Sequence, residues 1–154
     1  MIGTGSAVSQ ALVGAWTLVN SEFRLSSGEV IHPYGTDAVG VLMYTEDGQM
    51  SAQIMRRGRP AFASGDQFAG TPEETKKAID GLVSYFGSFA VDEAAGTVEH
   101  RVVGSAFPNW ENATQVRYFE LEGSRLTLRT SPLPAGPGIT TTGALVWEKM
   151  AAKR

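Results

Sequence analysis

Four polar side chains stand where the surrounding pattern aims them at an apolar interior: Glu22, Tyr44, His100 and Arg117. Each shares a phase with large apolar neighbours in a run that alternates residue by residue. Glu22 follows Trp16 and Leu18, Tyr44 follows Leu42, His100 lies between Val98 and Val102, and Arg117 precedes Phe119 and Leu121. A dry environment moves histidine and glutamate pKa values, so His100 and Glu22 are the candidate general acid and base of a catalytic reading. Tyr44 and Arg117 donate hydrogen bonds, and so polarise a carbonyl or hold an oxygen of a bound molecule. Burying a charge without a partner is costly, so four such groups on one apolar face read as the polar part of a ligand pocket. Structural roles stand beside that reading. Glu22 and Arg117 pair with each other, Arg117 covers the Trp16 ring, or His100 is a hydrogen-bonded core residue.

Other chemistries have less to build on. The absence of cysteine removes disulfides, thiolate metal sites and cysteine nucleophiles. The two histidines, His32 and His100, fall in different elements without paired spacing, so no metal site is expected, and haem on His100 alone is the weaker alternative. No phosphate-loop or dinucleotide spacing of glycines occurs and no serine elbow, so no cofactor is implied. A net charge of -3 provides no excess of cations to displace phosphate counterions, which argues against nucleic acid as a partner. Arg56, Arg57 and Arg59 around Gly58 form the one basic cluster, read as a solvated strand end ahead of a phosphate or carboxylate contact. Residues 1–10 lack the basic and apolar regions of a leader, and no apolar run is long enough for a membrane span, so a cytoplasmic protein without a membrane partner is expected. The oligomeric state is open.

The elements that position the four residues follow from period and punctuation. A chain of 154 residues with 42% apolar and 19% charged content fits one domain, a Gly/Ser/Thr-rich arm over 1–10 followed by a barrel domain over 11–150. In the arm, Ser9 is expected to cap a brief turn at Gln10 to Val13. Strands are predicted at 14–24, 40–45, 49–55, 88–91, 97–105, 114–121, 125–130 and 141–149, separated by glycine-bearing turns. Glu46-Asp47-Gly48 suits a three-residue hairpin, which sets Tyr44 opposite Met50, Leu42 opposite Ala52 and Gly40 opposite Ile54. The turn at Glu122-Gly123-Ser124 likewise pairs Leu121 with Leu126, Phe119 with Leu128 and Arg117 with Thr130. Thr71-Pro72-Glu73-Glu74 starts a helix running to about Tyr85, the inserted helix near 72–86, whose apolar stripe is Ala78, Ile79, Leu82, Val83 and Phe86. Met43, Met55, Tyr85, Phe86 and Phe89 read as core or helix packing. Eight strands at regular spacing form an all-β, antiparallel up-and-down barrel, because closing the sheet removes its exposed edges.

Several segments resemble the lipocalin-like domain proteins of bacteria and fungi, within the wider calycin barrels. They are Leu12-Val13-Gly14-Ala15-Trp16, Pro33-Tyr34-Gly35, the Tyr-Thr-x-Asp-Gly-x-Met-Ser run inside 40–51, Phe62 to Asp66, Gly70 to Glu74, Phe107-Pro108-Asn109-Trp110 and Leu145-Val146-Trp147-Glu148. The resemblance covers residues 12–149 and implies an eight-stranded barrel with a helix near its mouth. It further implies carriage of a small hydrophobic molecule, or a cyclase or isomerase of a biosynthetic pathway. It transfers no catalytic motif residue by residue.

Extending the alternation places Trp16, Leu18, Asn20 and Glu22 inside from the first strand and Gly143, Leu145 and Trp147 from the last. The expected ligand-binding residues are Asn20, Glu22, Leu42, Tyr44, Met50, Ile54, His100, Arg117, Phe119 and Trp110. Trp110, a large aromatic in a loop, either plugs a barrel end, the first reading, or forms a lid over its mouth. The expected function is binding of one apolar or amphipathic molecule in the barrel interior. The alternative is a cyclase or isomerase that folds a flexible substrate in the same cavity.

Overall fold

Period-two alternation between glycine turns folds into strands throughout the computed structural model, which describes residues 7–151. Ten strands form: β1 (Gly14–Leu25), β2 (Val30–Ile31), β3 (Val39–Tyr44), β4 (Gln49–Met55), β5 (Leu82–Asp92), β6 (Thr97–Ser105), β7 (Thr114–Glu122), β8 (Arg125–Thr130), β9 (Leu133–Pro134) and β10 (Thr140–Lys149). The eight long ones run antiparallel in the order β1-β3-β4-β5-β6-β7-β8-β10, and β10 pairs back onto β1 to close the barrel. Two-residue β2 and β9 extend β1 and β10. Among the described residues no helix is long and apolar enough to cross a membrane.

Turn chemistry fixes the register. Thr45 N–H donates to Gln49 O at 2.9 Å around a three-residue turn whose Gly48 takes φ 89°, and Tyr44, Leu42 and Gly40 face Met50, Ala52 and Ile54 as the loop length predicts. The β7–β8 hairpin pairs Leu121 with Leu126, Phe119 with Leu128 and Arg117 with Thr130.

Tight turns gather at one end of the barrel, where helix α1 (Ala7–Leu12) packs. There Trp16 is fully buried and its Nε1–H donates to Leu12 O at 2.9 Å, while the Lys149 ammonium lies 5.3 Å from the ring centre and donates to Ala11 O at 3.1 Å. The end of the stretch read as an arm is therefore helical, with Ser9 inside the helix and not ahead of it. Residues 1–6 lie outside the described ones. Long connections emerge at the opposite end.

Two local predictions are corrected. Helix α2 spans Pro72–Asp80, not to Tyr85. Its start is as read: Thr71 accepts from Glu74 N–H at 3.1 Å, and the Glu74 carboxylate accepts from Thr71 N–H at 2.8 Å. At Gly81 the chain leaves the helix, and Leu82 to Ser88 pair with Met55 to Gln49 of β4. The run from Leu82 fits both periods, and ladder bonds on both sides decide it. Val83, Tyr85 and Phe89 are buried on the inner face, Phe86 is exposed on the outer one, and α2 buries no side chain, Ile79 being 51% exposed. The second correction is in β1, where the register against β10 shifts between Leu18 and Asn20. This bulge at Val19 moves the following side chains to opposite faces.

Candidate functional site

Half of the barrel is filled and half is not. Toward the tight turns Leu12, Trp16, Met50, Val98 and Leu126 close the interior. Toward the long loops a cavity of about 240 Å³ remains. Its apolar walls include Phe23, Leu42, Ala52, Ile54, Val83, Leu128, Leu145 and Trp147, and its polar lining is Tyr34, Tyr85, His100, Arg117 and Thr130.

At its centre, His100 is 1% exposed and held on both ring nitrogens, Nε2 by the Tyr44 hydroxyl at 2.6 Å and Nδ1 by the Tyr85 hydroxyl at 2.8 Å. The three come from strands that the closed sheet brings together: Tyr44 ends β3, Tyr85 lies on β5 and His100 on the neighbouring β6. Burial, and secondarily the Arg117 positive charge, lowers the His100 pKa from 6.5 to about 3, so the ring is neutral at physiological pH. Burial also raises the Tyr85 and Tyr44 hydroxyls above their usual range, Arg117 partly opposing it. A neutral ring with both nitrogens engaged orients two phenols and stands poorly as a proton shuttle.

Arg117 lines the cavity as the alternation predicts. Its guanidinium donates to Val116 O at 3.1 Å and to the Gln115 side-chain oxygen. Among the described residues neither Arg117 nor Glu22 makes an ion pair, and the cation over Trp16 is Lys149. Leu42 and Ile54 line the cavity, whereas Met50 is buried in the filled half and Phe119 packs against the core. Tyr44 lies behind His100 rather than on the cavity wall. Trp110 sits in a 3₁₀ turn, Pro108–Trp110, edge-on to Tyr85 with ring centres 5.8 Å apart and to Phe107 at 5.3 Å. It stands at the rim with space beneath it, so it covers the mouth and does not plug the end.

Asn20 and Glu22 do not join the cluster. Beyond the Val19 bulge it is Ser21 and Phe23 that pair with inward Leu145 and Gly143, whereas Asn20 and Glu22 pair with Val146 and Ala144 on the outer side. Ser21 is buried and Phe23 lines the cavity in their place. The signal for this was Phe23 itself, an apolar residue out of phase with Trp16 and Leu18. Tyr85 is not among the expected site residues, because the helical stripe predicted from Thr71 runs up to it. The Val83-Tyr85-Gly87-Phe89 alternation marks it as inward. Tyr34, from a long loop, and Leu133, from the two-residue β9, line the mouth and carry no periodic signal.

The basic cluster has backbone partners. Arg56 donates to Pro33 O at 2.8 Å, Arg57 to Asp37 O at 2.9 Å and Arg59 to Ala78 O at 3.1 Å, tying the loops at the open end together.

Residues 13–150 match the family described as the lipocalin-like domain. A curated relative, a 4'-hydroxy-3'-methoxypropiophenone carrier protein of Aspergillus oryzae (strain ATCC 42149 / RIB 40), is 36% identical over 107 residues, which cover 66% of this chain and 96% of that protein.

Proposed function

The chain belongs to the lipocalin-like domain family, and we propose that it is a carrier of one small, largely apolar molecule held in the open half of the barrel. The observation that carries this is the cavity of about 240 Å³ beside a filled half-barrel, with apolar walls and few polar groups. An apolar cavity of about 150 Å³ takes benzene. The larger one here suits a single arene with a short side chain. Burying ~300 Å² of such a ligand contributes about 7 kcal/mol before association costs, so affinity on the order of micromolar needs additional polar contacts. The name of the Aspergillus relative supports the same class, a substituted phenyl ketone. A cyclase or isomerase in this cavity has weaker support, because the neutral His100 ring is engaged on both nitrogens and Glu22 faces away.

Titration with 4'-hydroxy-3'-methoxypropiophenone, followed by tryptophan fluorescence and by calorimetry, is expected to give saturable one-to-one binding. Recovery of the compound unchanged after prolonged incubation is expected as well. Absence of saturable binding to that ketone and to a panel of other small arenes would refute the carrier reading, and conversion of the bound compound would favour the catalytic one.

A further inference from the structure

Two polar groups of the cavity have protons to give and no protein acceptor that takes them. The Tyr44 hydroxyl is buried with His100 Nε2 as its partner, so it donates there. In the neutral imidazole the proton then sits on Nδ1, which donates to the Tyr85 oxygen. The O–H of Tyr85 is thus left over, and Tyr85 lines the cavity. Trp147 lines it too, 1% exposed, and no protein group accepts from its indole Nε1–H. No carboxylate or carboxamide side chain is part of the lining among the described residues. A buried donor without an acceptor is costly, and a ligand that supplies the acceptor removes that cost on binding.

We infer that Trp147 and Tyr85 are the specificity-determining donors of the cavity, selecting a ligand that presents to them an acceptor oxygen without a proton, such as a ketone or an ether, whatever hydroxyl it carries elsewhere. An alcohol at that position turns a proton toward two protein donors, and a hydrocarbon leaves both of them unmet. The inference rests on the cavity being the binding site proposed above.

Three probes of nearly one shape test it: propiophenone, 1-phenylpropan-1-ol and propylbenzene, each titrated against the wild type, Tyr85→Phe and Trp147→Phe. In the wild type the ketone is expected to bind more tightly than the alcohol. In each variant the ketone is expected to weaken about three- to tenfold relative to propylbenzene. Tyr85→Phe removes a single oxygen atom, and retained propylbenzene binding shows that the cavity of either variant is intact. Equal changes for ketone and hydrocarbon in both variants, or an alcohol that matches the ketone in the wild type, overturn the assignment while leaving the carrier reading in place. Failure of all three probes to bind the wild type defeats the carrier reading and this inference with it.

Discussion

Taking the protein from pH 7 to pH 5 is expected to cost the folded state about 2 kcal/mol through His100 alone. The unfolded chain protonates this residue near its ordinary value of 6.5, whereas the folded protein keeps it neutral down to about 3. Its contribution to stability is therefore complete above pH 6.5 and drains away as the pH falls toward 3, at about 1.4 kcal/mol per pH unit. Between 6.5 and 5 that slope runs over ~1.5 units, giving about 2 kcal/mol, and any folded-state value below about 4 gives the same loss. Glu74 and Glu148, held below their usual 4.5 by hydrogen bonds from Thr71 and Ser124, stay ionised in the folded protein across this window. His100→Gln keeps a donor and an acceptor for the two tyrosines and does not titrate, so the contributions of all other groups cancel between the proteins. Urea unfolding followed by tryptophan fluorescence at pH 7, 6 and 5 is expected to show the wild type losing about 2 kcal/mol more than the variant over that range. Parallel losses would refute the reasoning, because they would mean that folded His100 accepts protons as freely as the unfolded chain does.

Three further outcomes follow from the packing. Gly87→Ala is expected to destabilise by about 3 kcal/mol or more in chemical denaturation, since a Cβ there would lie 1.9 Å from the Arg101 carbonyl oxygen, a backbone atom unable to swing aside. A near-native midpoint would count against the register shift between Phe86 and Gly87. Thr71→Ala is expected to weaken α2 by about 1 kcal/mol, read as faster amide exchange within Pro72–Asp80 with no change in the global midpoint, because that helix buries no side chain. Ala52→Leu, which adds bulk to a cavity wall, is expected to block binding of propylbenzene without loss of stability, and undiminished binding would place the ligand elsewhere.

Period two and turn length carried most of the architecture. Hairpin length alone sufficed for the pairings of Tyr44 with Met50 and of Arg117 with Thr130, and with them for the inward aim of Tyr44 and Arg117. His100 followed from its place between Val98 and Val102. What failed did so for local reasons. One residue inserted at Val19 reverses every later face of β1, and alternation read from Trp16 passes over it into Asn20 and Glu22. The helix was extended because apolar residues at 78, 79, 82, 83 and 86 satisfy a helical stripe. Gly81 and the ladder to β4, a contact between distant segments, ended it instead. Tyr85 was lost with that extension, and with it the recognition that His100 is held between two phenols. The mouth residue Tyr34 comes from irregular chain and Leu133 from the two-residue β9, segments too short for a period, where position depends on tertiary ties such as Arg56 to Pro33.

Because α1 and Trp16 seal the tight-turn end, the described residues leave the interior one doorway, framed by the segments that bear Tyr34, Trp110 and Leu133. For the carrier proposed above, cargo departs by retracing its arrival and does not thread through from one side to the other. On that proposal, residence time is set by how often this frame yields, and a recipient of the cargo approaches the same face that admitted it.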